Sequence, residues 1–164
     1  MIIILQTGNI SKTEYFDLKG AVTIKTVNEL NTLLVGEHMA IQSYEYFFTQ
    51  VENPDVKKTL QKIQQEHKLH AMKIAEQIQN LGGHPVNDIP MASELMLKLK
   101  SLHKKDLDSI LKDAYTGEKR GIEAAKEITK GDLDSDSKKL IQNILQEDTQ
   151  HLSLLEDLIS QTKH

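Results

Sequence analysis

From residue 26 onward the apolar residues fall into four stripes with helical spacing. The first runs Leu30, Leu34, Ile41, Tyr44, Phe48 and Val51 in steps of three, four or seven, which keeps side chains on one face of a helix. Thr26-Val27-Asn28-Glu29 reads as a capping box that starts this helix. Asn53-Pro54-Asp55 ends it and opens the next, with Asn as N-cap, Pro at the first helical position and Asp at the positive end of the dipole. The second stripe is Val56, Leu60, Ile63, Ile74, Ile78 and Leu81, stopped by Gly82-Gly83 and Pro85. Ser93 can cap a third stretch carrying Leu95, Leu99 and Leu102, which breaks at Lys104-Lys105 and resumes through Leu107, Leu111, Ala114, Ile122, Ala125 and Ile128. Gly131 closes it. Asp134 or Ser135 caps the fourth, with Leu140, Ile144, Leu145, Leu152, Leu155, Leu158 and Ile159.

The turns near 53 and 131 are short, so each joins antiparallel neighbours, while residues 84–105 form a long crossover between the two hairpins. An all-α antiparallel four-helix bundle with one long crossover is the predicted architecture. Residues 1–25 show no helical period and read as an extended N-terminal arm, with Ile2 to Leu5 strand-like; the bundle domain is then 26–164.

A chain of 164 residues suits one domain with one core. With 38% hydrophobic and 27% charged residues the composition is that of a soluble helical protein. The formal charge of -4 and the lack of a Lys/Arg tract argue against nucleic acid or an anionic membrane as partner. The absence of Cys excludes disulfides, thiolate metal sites, iron–sulfur clusters and thiol nucleophiles. No nucleophile elbow is present, so a serine hydrolase is set aside as well. The apolar start Met1-Ile2-Ile3-Ile4-Leu5 has no basic flank and is too short for a signal peptide or a membrane span, which makes the cytoplasm the expected location.

What interrupts the stripes carries the chemistry. Glu37 stands between Leu34 and Ile41; His67 and His70 stand between Ile63 and Ile74, with Glu66 on the flank. Glu118 lies between Ala114 and Ile122, and Asp148 and His151 lie between Leu145 and Leu155, with Glu147 one position earlier. Residues three or four apart share a helix face, and all these positions fall near mid-helix, so antiparallel packing brings them to one level. Burying one ionised group costs several kcal/mol, against a net stability of about 5–15 kcal/mol for such a domain. Bound cations offset that cost, and carboxylate plus imidazole without thiolate suits iron, manganese or zinc. The competing reading is a set of buried carboxylate–His pairs. Tyr44, seven residues after Glu37, is placed either to carry an electron for a redox site or to pack with its hydroxyl satisfied. His38, His84, His103 and His164 fall off the stripes and read as surface residues.

Over roughly residues 29–160 the sequence resembles bacterioferritin. Leu30-Asn31-Thr32-Leu33-Leu34-Val35-Gly36-Glu37, with Ala40-Ile41 and Tyr44, is similar to the family's first helix; His70-Ala71, Glu76, Ile78, Leu81 and Gly83 to its second; Ile144-Leu145, His151 and Leu155-Glu156 to its fourth. The resemblance implies a ferritin-like bundle in which Glu37, His70 and His151 ligate a di-iron centre. It also shows departures. In the Glu-x-x-His register His67 replaces the bridging Glu of the second helix, Asp148 that of the fourth, and the third-helix Glu falls on Ala114, with Glu118 one turn beyond. Gly117-Glu118 is similar to the third helix of rubrerythrins. Lys68 stands at the haem-ligating Met, which implies no haem, and nothing matches the short fifth helix that supports cage assembly in the family, which speaks against a shell; a homodimer stays open as a partner.

The expected function is that of a ferritin-like di-metal protein, with two irons per bundle, that oxidises iron or reduces oxygen or peroxide. The alternative is a bundle with a degenerate site that stores metal or serves as a structural or interaction module.

Overall fold

The computed structural model describes residues 12–87 and 105–162. These form four helices: α1 (Lys12–Gln50), α2 (Pro54–Asn80), α3 (Leu107–Thr129) and α4 (Ser135–Gln161). The Asn53 side chain accepts from the Asp55 and Val56 amides at 2.9 and 3.2 Å, and Asp134 accepts from Asp136 and Ser137 at 3.1 and 3.0 Å. Each such cap is worth about 1 kcal/mol. Asp106 caps α3 through the Ser109 amide at 2.8 Å; the proposed cap at Ser93 lies outside the described residues.

α2 ends in paired bonds from Gly82 N to Gln79 O and from Gly83 N to Ile78 O, with Gly82 at φ 76°. That left-handed turn favours glycine. Gly83 is required for a different reason: a Cβ there would meet Val27 Cγ1 at 2.7 Å, so the turn packs directly on α1. Asn31 holds the start of the crossover to α1, donating to His84 O at 3.1 Å and accepting from Val86 N at 2.9 Å.

The apolar residues separate into two clusters at opposite ends of the bundle. One gathers Tyr44, Phe47 and Val51 of the α1 end with Leu60 and Ile63 of α2, Ile110 and Leu111 of α3 and Leu155 of α4. The other gathers Leu30 and Leu34 with Ala71, Ile74 and Ile78, Ala125, Ile141 and Ile144. Each cluster draws on the C-terminal part of one helix and the N-terminal part of its neighbour, so α1 runs antiparallel to α2 and α3, and α4 antiparallel to α2 and α3. Between the clusters every helix presents polar residues.

The helical arrangement agrees with the stripe pattern except at the N-terminus. α1 begins at Lys12, so residues 12–25 are helical rather than an extended arm. Thr26 is not a cap: it is fully buried inside α1 and its hydroxyl donates to Val22 O at 2.9 Å. Residues 19–25 carry no buried position, Val22 and Ile24 being exposed. Helical period in a sequence records a buried face, and a helix propagating beyond its bundle leaves none. The strand-like segment Ile2 to Leu5 lies outside the described residues. No described helix is long and apolar enough to cross a membrane.

Candidate metal centre

The layer between the apolar clusters is built from Glu37 of α1, His67 and His70 of α2, Glu118 of α3, and Asp148 and His151 of α4, all buried. The i, i+3 spacing within α2 and α4 turns both members of each pair inward. His67 is central. Its Nδ1 lies 2.7 Å from Glu37 Oε2 and its Nε2 2.9 Å from Glu118 Oε1. The rings of His70 and His151 stand 5.8 and 5.1 Å from it, centroid to centroid.

His70 and His151 are arranged alike. The Nε2 of His70 meets Glu147 Oε2 at 2.9 Å, and that of His151 meets Glu66 Oε2 at 2.7 Å. Their Nδ1 atoms face inward: His70 Nδ1 lies 3.7 Å from Glu37 Oε2 and 3.4 Å from Asp148 Oδ1, while His151 Nδ1 lies 3.3 Å from Glu118 Oε2 and 3.6 Å from Asp148 Oδ1. Each histidine thus pairs with a carboxylate of the opposing helix on its outer side. Glu66 and Glu147 are part-exposed and in turn meet Lys62 at 3.9 Å and Lys73 at 3.7 Å. The sequence reading did not single out these lysines, although the i, i+4 spacing of Lys62 and Glu66 signals their pair.

Ionisation follows from this packing. Burial lowers the His67 pKa, but the hydrogen bonds to Glu118 and Glu37 more than reverse that and raise it to about 10. Burial raises Glu118, yet His151 and His67 bring it down to about 2. Glu37 is likewise lowered, by His67 and His70 against burial, and His70 is raised by Glu37 and Glu147 against burial. Asp148 goes the other way: burial and the neighbouring Glu37 push it up to about 7. Tyr44 donates to Glu118 Oε1 at 2.6 Å, and burial with that carboxylate raises its pKa well above 10.

Among the described residues two groups could each hold a cation: Glu37, His67 and His70, and His67, Glu118 and His151. The donors fit such ions on a further ground. Buried polar groups almost always have partners, yet His70 Nδ1 and Asp148 Oδ1 have no hydrogen bond although they face each other. Both lie where a cation between them would be bound.

All eight candidate ligands converge on this layer, in two tiers: Glu66 and Glu147 sit at the rim on the outer histidine nitrogens and belong to neither group. Ala114, onto which the third-helix Glu of the family fell, packs in the apolar cluster, whereas Glu118, one turn beyond, reaches the layer. Tyr44 packs edge-on against Phe47 at 5.7 Å and has its hydroxyl satisfied by Glu118. His84 is exposed and His38 lies outside the layer; His103 and His164 lie outside the described residues.

Residues 25–131 match the sequence pattern of a family described as Domain of unknown function (DUF2383). No curated protein sequence matches the chain. Among solved structures, a dodecameric thioferritin, described as the bacterioferritin-related protein from Bacteroides fragilis, superposes with a TM-score of 0.77 at 26% identity, covering 93% of this chain and 95% of that one. A bacterioferritin from Desulfovibrio desulfuricans, whose structure shows a diiron site in different catalytic states, gives 0.76 at 22% identity over 87% of this chain and 82% of that one. A ferritin-like, diiron-carboxylate protein from Bacillus anthracis gives 0.67 at 22% identity over 84% and 96%. The fold is ferritin-like, as the bacterioferritin resemblance implied.

Proposed function

The chain belongs to the DUF2383 family, a ferritin-like family of unassigned function, and we propose that it is a metal-binding protein holding two ions, iron by preference, between its apolar clusters. In this reading it uses them to oxidise iron or to reduce oxygen or peroxide. The observation that carries it is the pair of buried, unpartnered atoms His70 Nδ1 and Asp148 Oδ1 inside a ring of carboxylates and imidazoles. Manganese or zinc suits the same donors.

Glu37 with His67 and His70 would hold one ion, and Glu118 with His67 and His151 the other, with Asp148 facing both inner histidine nitrogens. Bound iron supplies one-electron steps toward oxygen or peroxide. The residues of the chain do the rest. Leu34, Ile63, Ile74 and Ile144 on either side of the layer are buried and keep bulk water from it. Tyr44 holds its proton on Glu118 and fixes the direction of that carboxylate. Glu66 and Glu147 fix the rings of His151 and His70 and connect the layer to solvent. The reading places the protein in the cytoplasm, without haem, as a homodimer.

Metal analysis of protein grown with iron, followed by anaerobic Fe(II) titration and exposure to oxygen, tests it. About two metals per chain and oxidation above the buffer rate are expected; less than one metal and no excess oxidation sink it. One observation favours a second reading, a non-catalytic storage or structural bundle. His67 closes the layer through its own contacts with Glu37 and Glu118, one from each ring nitrogen. Metal uptake with no oxidation above buffer selects that reading.

A further inference from the structure

The charges of the layer do not balance for two divalent ions if every histidine stays neutral. The buried carboxylates are Glu37, Glu118 and Asp148, three negative charges against four positive. Glu66 and Glu147 are part-exposed and face Lys62 and Lys73, so they do not make up the difference. An uncompensated charge in a buried site costs several kcal/mol. One more anionic donor is needed, and a donor shared by the two groups would serve both ions.

His67 is the residue common to both groups. Its two ring nitrogens point in opposite directions, Nδ1 toward Glu37 at 2.7 Å and Nε2 toward Glu118 at 2.9 Å. We propose that His67 bridges the two ions as an imidazolate, with Nδ1 serving the ion held by Glu37 and His70 and Nε2 the ion held by Glu118 and His151. The inference rests on the metal-binding reading above and specifies how that site is joined. On binding, both N–H protons of the ring pass to solvent and no electron is transferred; the ring then carries one negative charge and the layer is neutral. An imidazole stands here in the second helix's Glu-x-x-His register, so the ions sit on either side of a ring rather than of one carboxylate. The rival bridge is Asp148, whose Oδ1 lies 3.4 Å from His70 Nδ1 and 3.6 Å from His151 Nδ1.

The test is copper(II) loading of the full chain from an inorganic salt, with bound metal counted and the electron paramagnetic resonance signal integrated at low temperature. Two unpaired spins joined through an imidazolate couple, so the integrated signal falls short of the bound copper. Expected are two ions per chain and a coupled signal in the wild type, weaker copper binding in Asp148→Asn but a coupled signal once excess copper has filled both positions, and an uncoupled signal equal to the bound copper in His67→Gln. An uncoupled wild-type signal at two ions per chain overturns the inference, as does coupling that survives His67→Gln or is lost in Asp148→Asn while two ions are still bound. A single bound ion per chain overturns it too, while leaving the metal-binding reading standing; no bound copper overturns both. Should His67→Gln fail to fold by circular dichroism, the wild type and Asp148→Asn decide between the bridges.

Discussion

The Tyr44 hydroxyl donates at 2.6 Å to the same Glu118 oxygen that lies 2.9 Å from His67 Nε2, so one buried carboxylate oxygen ties α1 to α3 and α2. Tyr44→Phe keeps the ring that packs on Phe47 and removes only the donor. A hydrogen bond to a charged group is worth about 1.5–3 kcal/mol, and the metal-free variant should lose that much in urea denaturation. Because the phenol pKa lies well above its usual 10, the loss should be constant from neutral to mildly alkaline pH. A variant as stable as the wild type would show that Glu118 needs no donor from α1.

Asp148 supplies a prediction of opposite sign. Its folded pKa of about 7 exceeds the unfolded 3.8, so the charged carboxylate opposes folding. The penalty is absent below the unfolded value, grows as pH rises between the two, and is complete above about 7. Asp148→Asn should therefore stabilise the metal-free protein by roughly 1–3 kcal/mol at pH 8 and not at all below pH 4, while weakening metal retention. Thermal melts with chelator across pH check the first half, and metal counts after dialysis the second.

His67 and Glu118 set the acid and alkaline limits. The folded pKa of His67, about 10, exceeds its unfolded 6.5, so its contribution is complete below 6.5 and lost as pH rises through 10. Glu118 falls from 4.5 to about 2, so its contribution is complete above 4.5 and lost as pH drops toward 2. Because the Asp148 penalty already grows from 3.8 upward, metal-free protein should melt highest at about pH 4–4.5, where the Glu118 contribution is nearly complete and that penalty is still small, and should lose stability steadily above it. Metal binding requires deprotonated histidine, so adding zinc should move the optimum upward. An optimum that stays in place with saturating zinc would mean that no ion enters this layer.

How much of this was legible in the sequence depends on whether burial leaves a period. The stripes of α2, α3 and α4 and the caps Asn53 and Asp134 were readable because each residue contacts the bundle or a helix end. The helical run from 19 to 25 was not, since those residues of α1 bury nothing and so write no stripe. The inward set was readable as charges interrupting apolar faces. The position of Glu118 followed from that interruption, whereas matching short motifs placed the third-helix Glu on Ala114, an apolar residue one turn away. The tiers within the site were readable only as a flank position for Glu66 and an offset of one residue for Glu147, not as the contacts these two make. Glu66 and Glu147 each precede a buried ligand candidate by one residue, and a rotation of 100° takes them from the interior to the rim.

That rim position makes Glu147 and Glu66 the cleanest separation of stability from binding. Glu147 is 39% exposed at its side chain and Glu66 30%, so the solvent screens their interactions with His70 and His151. Replacing either by Gln should change the stability of the metal-free protein by less than about 1 kcal/mol. What each carboxylate does is hold a histidine ring with Nε2 outward and Nδ1 toward the interior, the arrangement that keeps His70 Nδ1 unpartnered and open to an ion. Partners of that kind typically contribute about 10–100-fold in metal affinity. Glu147→Gln should therefore bind zinc about 10–100-fold more weakly, with Glu66→Gln showing a similar loss, since His151 is held in the same way. Competition with a chromophoric chelator measures the affinity and urea denaturation the stability. A large stability loss with unchanged zinc affinity would assign both residues to the packing of α2 against α4 instead.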